Sequence, residues 1–255
     1  MASAKDILVK PITAQAATKL VKAIHYSRKV AANSQLHFGV FLNGKLEGAM
    51  QFGPSLDKRK IQGLVEDTSW NGFLELNRMA FSDVLPRNSE SRALAVAFRL
   101  IRKHYPHIEW VVSFSDGTQC GDGTIYRASG FVLTQIVKNT GIYRMPDGEA
   151  CSVVTFSDGH KGGGIAKRRH GYREGEGATR FMKRIGAQKI PGFQLRYIYF
   201  LNPDARQRLT VPILPFSKID EMGAGMYRGK ARAKQATAGD HPEGRRGSTD
   251  PHAPN

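Results

Sequence analysis

The sequence predicts an α/β protein: a mixed central sheet of about seven strands, flanked by helices and followed by a basic C-terminal extension. Three observations predict it. Apolar runs of strand length alternate with amphipathic stretches of helix length, in the coarse order β-α-β-β-β-α-β-α-β-β. An apolar fraction of 40% over 255 residues is enough for a sizeable core. Composition then shifts: 19 Lys/Arg stand against 13 Asp/Glu in residues 1–157, but 19 against 9 in residues 158–255.

Each element has its own signal. "ILVKPI" (7–12) reads as a strand, and Thr13 is placed to cap a helix with Ala17, Leu20, Val21 and Ile24 on one stripe. Leu36, Phe38, Val40 and Leu42 alternate; Asn43-Gly44 is a tight-hairpin signal; Leu46, Gly48, Met50 and Phe52 resume the alternation. Residues 54–72 form a loop long enough to carry function. "FLELNRMAF" (73–81) is a strand with odd content: strict alternation puts Glu75 and Asn77 on one face and Arg78 on the other. Ionisable or amide groups in an apolar strand need either a satisfied polar network or a wet cleft.

Ser89 is expected to cap a helix running to Tyr105, with Leu94, Ala97, Phe98, Ile101 and Tyr105 inward. "EWVVSF" is the next strand, "GDGTIYRAS" a short helix stopped at Gly130, and "FVLTQIVK", "GIYRM" and "CSVVTF" the last strands of the same sheet. "QLRYIYFL" and "RLTVPILPF" can return a strand pair. The expected division is a catalytic domain at 1–157, a basic extension at 158–227 partly packed on it, and a disordered tail at 228–255.

Composition excludes several classes. No run of 18 apolar residues exists, and MASAKDILVK lacks the apolar segment of a secretory signal, so a cytoplasmic protein without a membrane partner is expected. Two cysteines are too few for a disulfide framework or a zinc site of the usual spacing. A net charge of +16 favours a polyanionic partner, nucleic acid first; a solubilising tail is the plain alternative.

The stretch SFSDGTQCGDGTIYRASGF (113–131) leaves a buried strand for a polar loop at a carboxyl end of the sheet, where open α/β sheets bind ligands. Asp116 there is either an ordinary Asp-Gly turn or a general base or metal ligand. Tyr126 is either packed between helix and sheet or a proton donor. Arg78 can bind a carboxylate, a phosphate or the Asp116 side chain. His25 and Tyr26 end the first helix, where a histidine usually serves the helix dipole or packing.

This order, closing on "TIYRASGF", resembles the GNAT acyltransferase superfamily, in which a tyrosine ahead of a helix-ending Gly-Phe often protonates a leaving thiolate; Tyr126, Gly130 and Phe131 match that pattern. The phrases "HYS" (25–27), "NSQLHFGVF" (33–41), "MQFGPSLDKRK" (50–60), "FLELNRMAF" (73–81), "SESRAL" (89–94) and the 113–131 stretch look like the Mom family of bacteriophage DNA-modification proteins, distant GNAT relatives, over residues 7–155. The resemblance implies a transferase that converts adenine in double-stranded DNA to N6-(carbamoylmethyl)adenine and so protects DNA from restriction. It implies Tyr126, Asp116, Arg78, His25 and Tyr26 as catalytic residues and His25 with Asp116 as ligands of an iron.

The donor stays open between an acyl-CoA-like molecule and a glycine-derived amine. Asn88, Ser89, Ser91 and Arg92 stand where GNAT proteins hold the CoA pyrophosphate, but "PRNSESRA" lacks the glycines of that loop, so β-carbons crowd the approach. Base modification at N6 also requires the base to leave the duplex. Lys58, Arg59, Lys60, Lys167, Arg168, Arg169 and Arg173 are the expected phosphate contacts, and Tyr26, Phe52, Trp70 and Tyr126 the aromatics available for stacking. Two other functions compete: an acyl-CoA-dependent N-acetyltransferase of an amine, and a non-catalytic DNA-binding protein on the same fold.

Overall fold

The computed structural model describes residues 2–157, 164–227 and 230–231. A seven-stranded mixed sheet forms its centre: β1 (Leu8–Pro11), β2 (Leu36–Leu42), β3 (Lys45–Gly53), β4 (Phe73–Phe81), β5 (Trp110–Asp116), β6 (Val132–Lys138) and a strand from late in the chain, β10 (Phe193–Phe200). Their spatial order is β1-β2-β3-β4-β5-β10-β6. Helices α1 (Ala14–Ile24), α2 (Lys58–Gln62), α3 (Ser89–His104) and α4 (Thr124–Ala128) cover it.

Local chemistry explains most boundaries. Thr13 accepts the Ala16 amide at 3.2 Å and starts α1, whose Ala17 and Val21 are fully buried. Asn43 and Gly44 both take positive φ, 50° and 77°, as the two-residue β2–β3 hairpin requires. Strand β4 matches its expected span residue for residue. Helix α3 is capped by Asn88 in the left-handed region, at φ 69°, rather than by Ser89; Ser89 is its first, fully buried residue, and Ser91 Oγ donates to the Asn88 carbonyl at 3.1 Å.

One face of the sheet packs Leu94, Ala97, Phe98 and Ile101 of α3 against Phe38, Met50, Phe52, Leu76 and Leu133. The other holds a smaller core of Ile61, Leu64, Val65, Phe73, Trp110 and Ile198, with Phe73 stacked on Trp110 at 4.5 Å. Phe52 is fully buried in the first core and cannot stack on a base.

One late segment returns to the sheet as expected, and two segments expected in it lie elsewhere. Strand β10 lies between β5 and β6, antiparallel to both, so a boundary at residue 157 cuts through the central sheet rather than ending it. "GIYRM" and "CSVVTF" do not continue that sheet. They form β7 (Ile142–Arg144) and β8 (Ala150–Ser152), which pair with each other and with β9 (Gln188–Lys189) in a separate three-stranded sheet. Helices α5 (Gly164–Arg169) and α6 (Ala178–Arg184) accompany it over a core of Met145, Cys151, Phe156, Phe181 and Met182. The basic extension is thus partly a folded satellite. Of the tail expected at 228–255, only Lys230 and Ala231 are among the described residues.

Candidate functional site

Every pairing in the main sheet is antiparallel except β4 with β5, which run parallel and meet only over Phe73–Glu75 and Trp110–Val112. Their remaining halves separate. A cleft of about 730 Å³ opens there, lined by Glu75–Met79 of β4, Phe114–Asp116 of β5, His25 and Tyr26 after α1, Ser55–Asp57 and Ile61 around α2, and Cys120–Tyr126. That volume is in the ordinary range of small-molecule pockets.

Strand β4 reaches the cleft with more polar groups than alternation allows, because Asn77 is a bulge. Arg78 pairs with Gln51 and Leu76 with Phe52, leaving Asn77 extra. Past the bulge the parity inverts, so Glu75 and Arg78 both line the cleft while Leu76 and Met79 contribute to the same core. The expectation that they lie on opposite faces fails for this reason. Glu75 accepts Ser55 Oγ at 2.5 Å, and burial raises its carboxyl above the usual range, against the opposing pull of Ser55, Asn77 and Arg78. Sequence reasoning marked Glu75 and Asn77 only as polar groups of β4 that need a network or a wet cleft, and it left out Ser55 and Cys120, which no pattern in the sequence signals.

Arg78 Nε donates to the Lys29 carbonyl at 2.8 Å and Nη1 to the Asn77 carbonyl at 2.5 Å. It therefore ties the loop after α1 to the cleft wall. Asp116 is engaged elsewhere: its carboxylate accepts the Thr118 amide at 2.9 Å, Gln119 Nε2 at 2.9 Å and Asn139 Nδ2 at 3.3 Å. Arg78 and Asp116 line one cleft without an ion pair between them in the described structure.

Tyr126 is carried by α4, and the chain before α4 explains its position. Gly123 takes φ +84°, and a Cβ there would collide with the Tyr197 ring, whose hydroxyl donates to the Asp122 carbonyl at 2.5 Å. The Tyr126 ring packs at 5.2 Å from Phe131 and 5.3 Å from Tyr197. Burial pushes its phenol up to about 12; Ser113 beside it opposes the shift, and Glu75 adds to it. The hydroxyl therefore keeps its proton at neutral pH.

His25 caps the end of α1 and is buried; its amide donates to the Val21 carbonyl at 3.0 Å. Its Nδ1 lies 2.8 Å from Ser27 Oγ and accepts the Ser27 amide at 3.2 Å, which leaves the ring proton on Nε2. Burial first, then Arg78, lowers its pKa to about 4, so the ring is neutral. The Tyr26 ring lies tilted against it at 4.3 Å and is half exposed; burial, with the neighbouring Cys120 and Asp116, raises its phenol.

The two implied cofactor positions fit less well. His25 and Asp116 face one cleft, but both carry the intramolecular bonds just described. Among the described residues the grouping of three His, Cys, Asp or Glu ligands lies elsewhere, at Glu149, Cys151 and His170. Asn88, Ser89, Ser91 and Arg92 do not line the cleft, and Glu90 places a carboxylate in the first turn of α3, where an anion would otherwise bind. Around the cleft, Arg59 and Lys60 of α2 are exposed, whereas Lys58 is bonded to Asn71 at 3.0 Å and lies 4.4 Å over the half-exposed Trp70 ring. On the satellite, Arg168 and Arg173 are exposed. Lys167 donates to the Ser157 carbonyl at 2.6 Å, and Arg169 pairs with Glu149 at 2.7 Å.

Fold and site together define a class: an α/β protein whose candidate cleft opens where a parallel strand pair splits, with a tyrosine-bearing helix in its wall. The chain belongs to the Mom protein family, whose family model matches residues 6–218. It is 37% identical over 212 residues to the methylcarbamoylase mom of Escherichia phage Mu, covering 82% of this chain and 81% of that one. Solved structures that align with it include an IAA acetyltransferase from Bacillus cereus, at TM-score 0.42 and 11% identity over 76% of this chain and 99% of that one. An acetyltransferase of the GNAT family from Streptococcus pneumoniae aligns at TM-score 0.36 and 13% identity over 52% and 88%.

Proposed function

We propose that this chain is a phage or prophage DNA-modification enzyme, a transferase that converts adenine in double-stranded DNA to N6-(carbamoylmethyl)adenine and thereby protects that DNA from host restriction. The observation that carries the proposal is the convergence of Glu75, Arg78, Asp116, Tyr126, His25 and Tyr26 on one cleft of about 730 Å³, room for a base together with part of a donor. Membership of the Mom family and a relative named as a methylcarbamoylase support it. No helix among the described residues is long and apolar enough to cross a membrane, in keeping with an enzyme that works on DNA in the bacterial cytoplasm.

The product carries an N–CH2 link, which plain acyl transfer does not make. Two donors give it. With an activated methylene, adenine N6 attacks the carbon, the leaving group departs with the bonding pair, and N6 loses a proton. With a glycine-derived amine, that nitrogen adds at C6, loses a proton, and the original amino group departs as ammonia. Either route needs one base and one acid. Glu75, held beside the cleft with a raised pKa, is the base; Tyr126, protonated throughout the neutral range, is the acid. Arg78 anchors the donor's polar end. Neutral His25 donates from Nε2 and orients a bound carbonyl, and Asp116 fixes the 116–119 turn that forms the cleft floor. Tyr26, exposed at the mouth, stacks on the extruded base. No step is assigned to coenzyme A or to iron.

Arg59, Lys60, Arg168 and Arg173 are the exposed cations that hold the flanking phosphates. The test is nucleoside mass spectrometry on DNA from cells expressing the wild type, Tyr126→Phe and Glu75→Gln. The wild type is expected to yield carbamoylmethyladenine and the variants little or none. DNA binding without any modified adenine in the wild type would favour a non-catalytic protein, and acetylated amines with unmodified DNA would favour an acetyltransferase.

A further inference from the structure

Outside the cleft, the joint between the satellite sheet and α5 gathers three unlike metal-ligating groups. A carboxylate oxygen of Glu149, Cys151 Sγ and a His170 ring nitrogen all lie within 4.8 Å of one another. Glu149 immediately precedes β8, Cys151 sits at its centre, and His170 follows the last turn of α5. His170 Nε2 is buried without a hydrogen-bond partner, and the side chain is 7% exposed. It nonetheless faces two carboxylates, Glu149 Oε2 at 3.6 Å and Asp147 Oδ2 at 3.7 Å. Those separations are too long for hydrogen bonds. They are close to the edge of a tetrahedron around zinc, roughly 3.4 Å for nitrogen and oxygen ligands bound at about 2.0–2.2 Å.

We propose that Cys151, His170 and Glu149 bind a zinc ion that clamps the basic segment to the β7–β8 hairpin. A thiolate, an imidazole and carboxylates are the donor set for a borderline cation; magnesium or calcium would require oxygen ligands alone. The orphaned imidazole nitrogen gains its missing partner. On binding, the cation takes the place of the Cys151 thiol proton. Arg169, 2.7 Å from Glu149 Oε2, and Lys29, 3.7 Å from Oε1, orient the same carboxylate from outside. The clamp also joins the satellite to the cleft, because the Lys29 carbonyl receives Arg78.

The experiment uses the full chain, freed of metal with a chelator and titrated with Co²⁺ and Zn²⁺. About one cobalt per chain should bind, with a thiolate-to-cobalt charge-transfer band and tetrahedral d–d bands, and zinc should displace it. Cys120 is the only other cysteine, so Cys120→Ser assigns the thiolate even if a Cys151 variant fails to fold. The band is expected to persist in Cys120→Ser. His170→Gln, checked for native circular dichroism, removes a direct ligand and should weaken zinc binding by at least the roughly 10–100-fold usual for losing an outer-shell partner. A band lost in Cys120→Ser would place the metal in the cleft and overturn the proposal, as would no band with no retained zinc, or unchanged zinc affinity in folded His170→Gln.

Discussion

Glu75 and Arg78 stand three residues apart on one strand and face the same cleft, because the Asn77 bulge between them inverts the alternation of side chains. The bulge places a carboxyl of raised pKa and a guanidinium together where β4 leaves β5. Neither would reach the other's side of a regular strand.

Glu75→Gln should separate function from stability. A carboxyl whose folded pKa is raised binds its proton more tightly in the folded state, so it stabilises at low pH and loses that contribution as pH rises through the folded value. At pH 7 the ionised group is a cost that glutamine removes. The variant is expected to melt no lower than the wild type at pH 7 yet lose adenine modification. Wild-type activity should fall on acidification at a pH above the ordinary carboxylate range. A variant with full activity would remove Glu75 as base.

Tyr126→Phe keeps the ring between Phe131 and Tyr197 and deletes only the hydroxyl. Modification should fall about 10²–10⁴-fold, the usual contribution of one positioned acid, with little change in melting temperature. Tyr126→Ala should destabilise by about 3 kcal/mol as well, through the lost packing. Because the phenol sits near 12, the wild type should show no loss of activity from its ionisation at pH 8–9.

Buried His25 makes the fold acid-sensitive. Its folded pKa, near 4, lies below the ordinary 6.5, so the unfolded chain takes up the proton first. The neutral imidazole's contribution is complete above 6.5 and is lost as pH falls from 6.5 toward 4. Between pH 7 and pH 5 this amounts to about 2 kcal/mol. Urea unfolding at the two pH values checks it: His25→Gln should flatten the difference.

Neutralising the exposed cations should weaken DNA binding without base preference. For each of Arg59, Lys60, Arg168 and Arg173 changed to Gln, the slope of log affinity against log salt should drop by about 0.9 if that side chain holds a phosphate. Lys58, occupied by Asn71 and Trp70, should change the slope less. Equal effects from all five would show that the Lys58 contacts open when DNA binds.

Local signals are strong in this chain where a cap, a turn or a long apolar period stands alone. Thr13, Asn43-Gly44, the α3 stripe and the span of β4 are of that kind. So was the polarity of β4 and of the loop after β5, which marked the site's location before its geometry. Tertiary structure alone decided that Asn77 bulges, because the register of β4 depends on its pairing with β3, and no residue of β4 encodes that shift by itself. It alone decided that β10 enters the sheet beside β5, a contact between segments almost eighty residues apart that rests on apolar burial rather than on any local preference. By the same logic Glu149, Cys151 and His170 have no metal-site spacing in sequence, and folding α5 against β8 is what brings them within ligand distance.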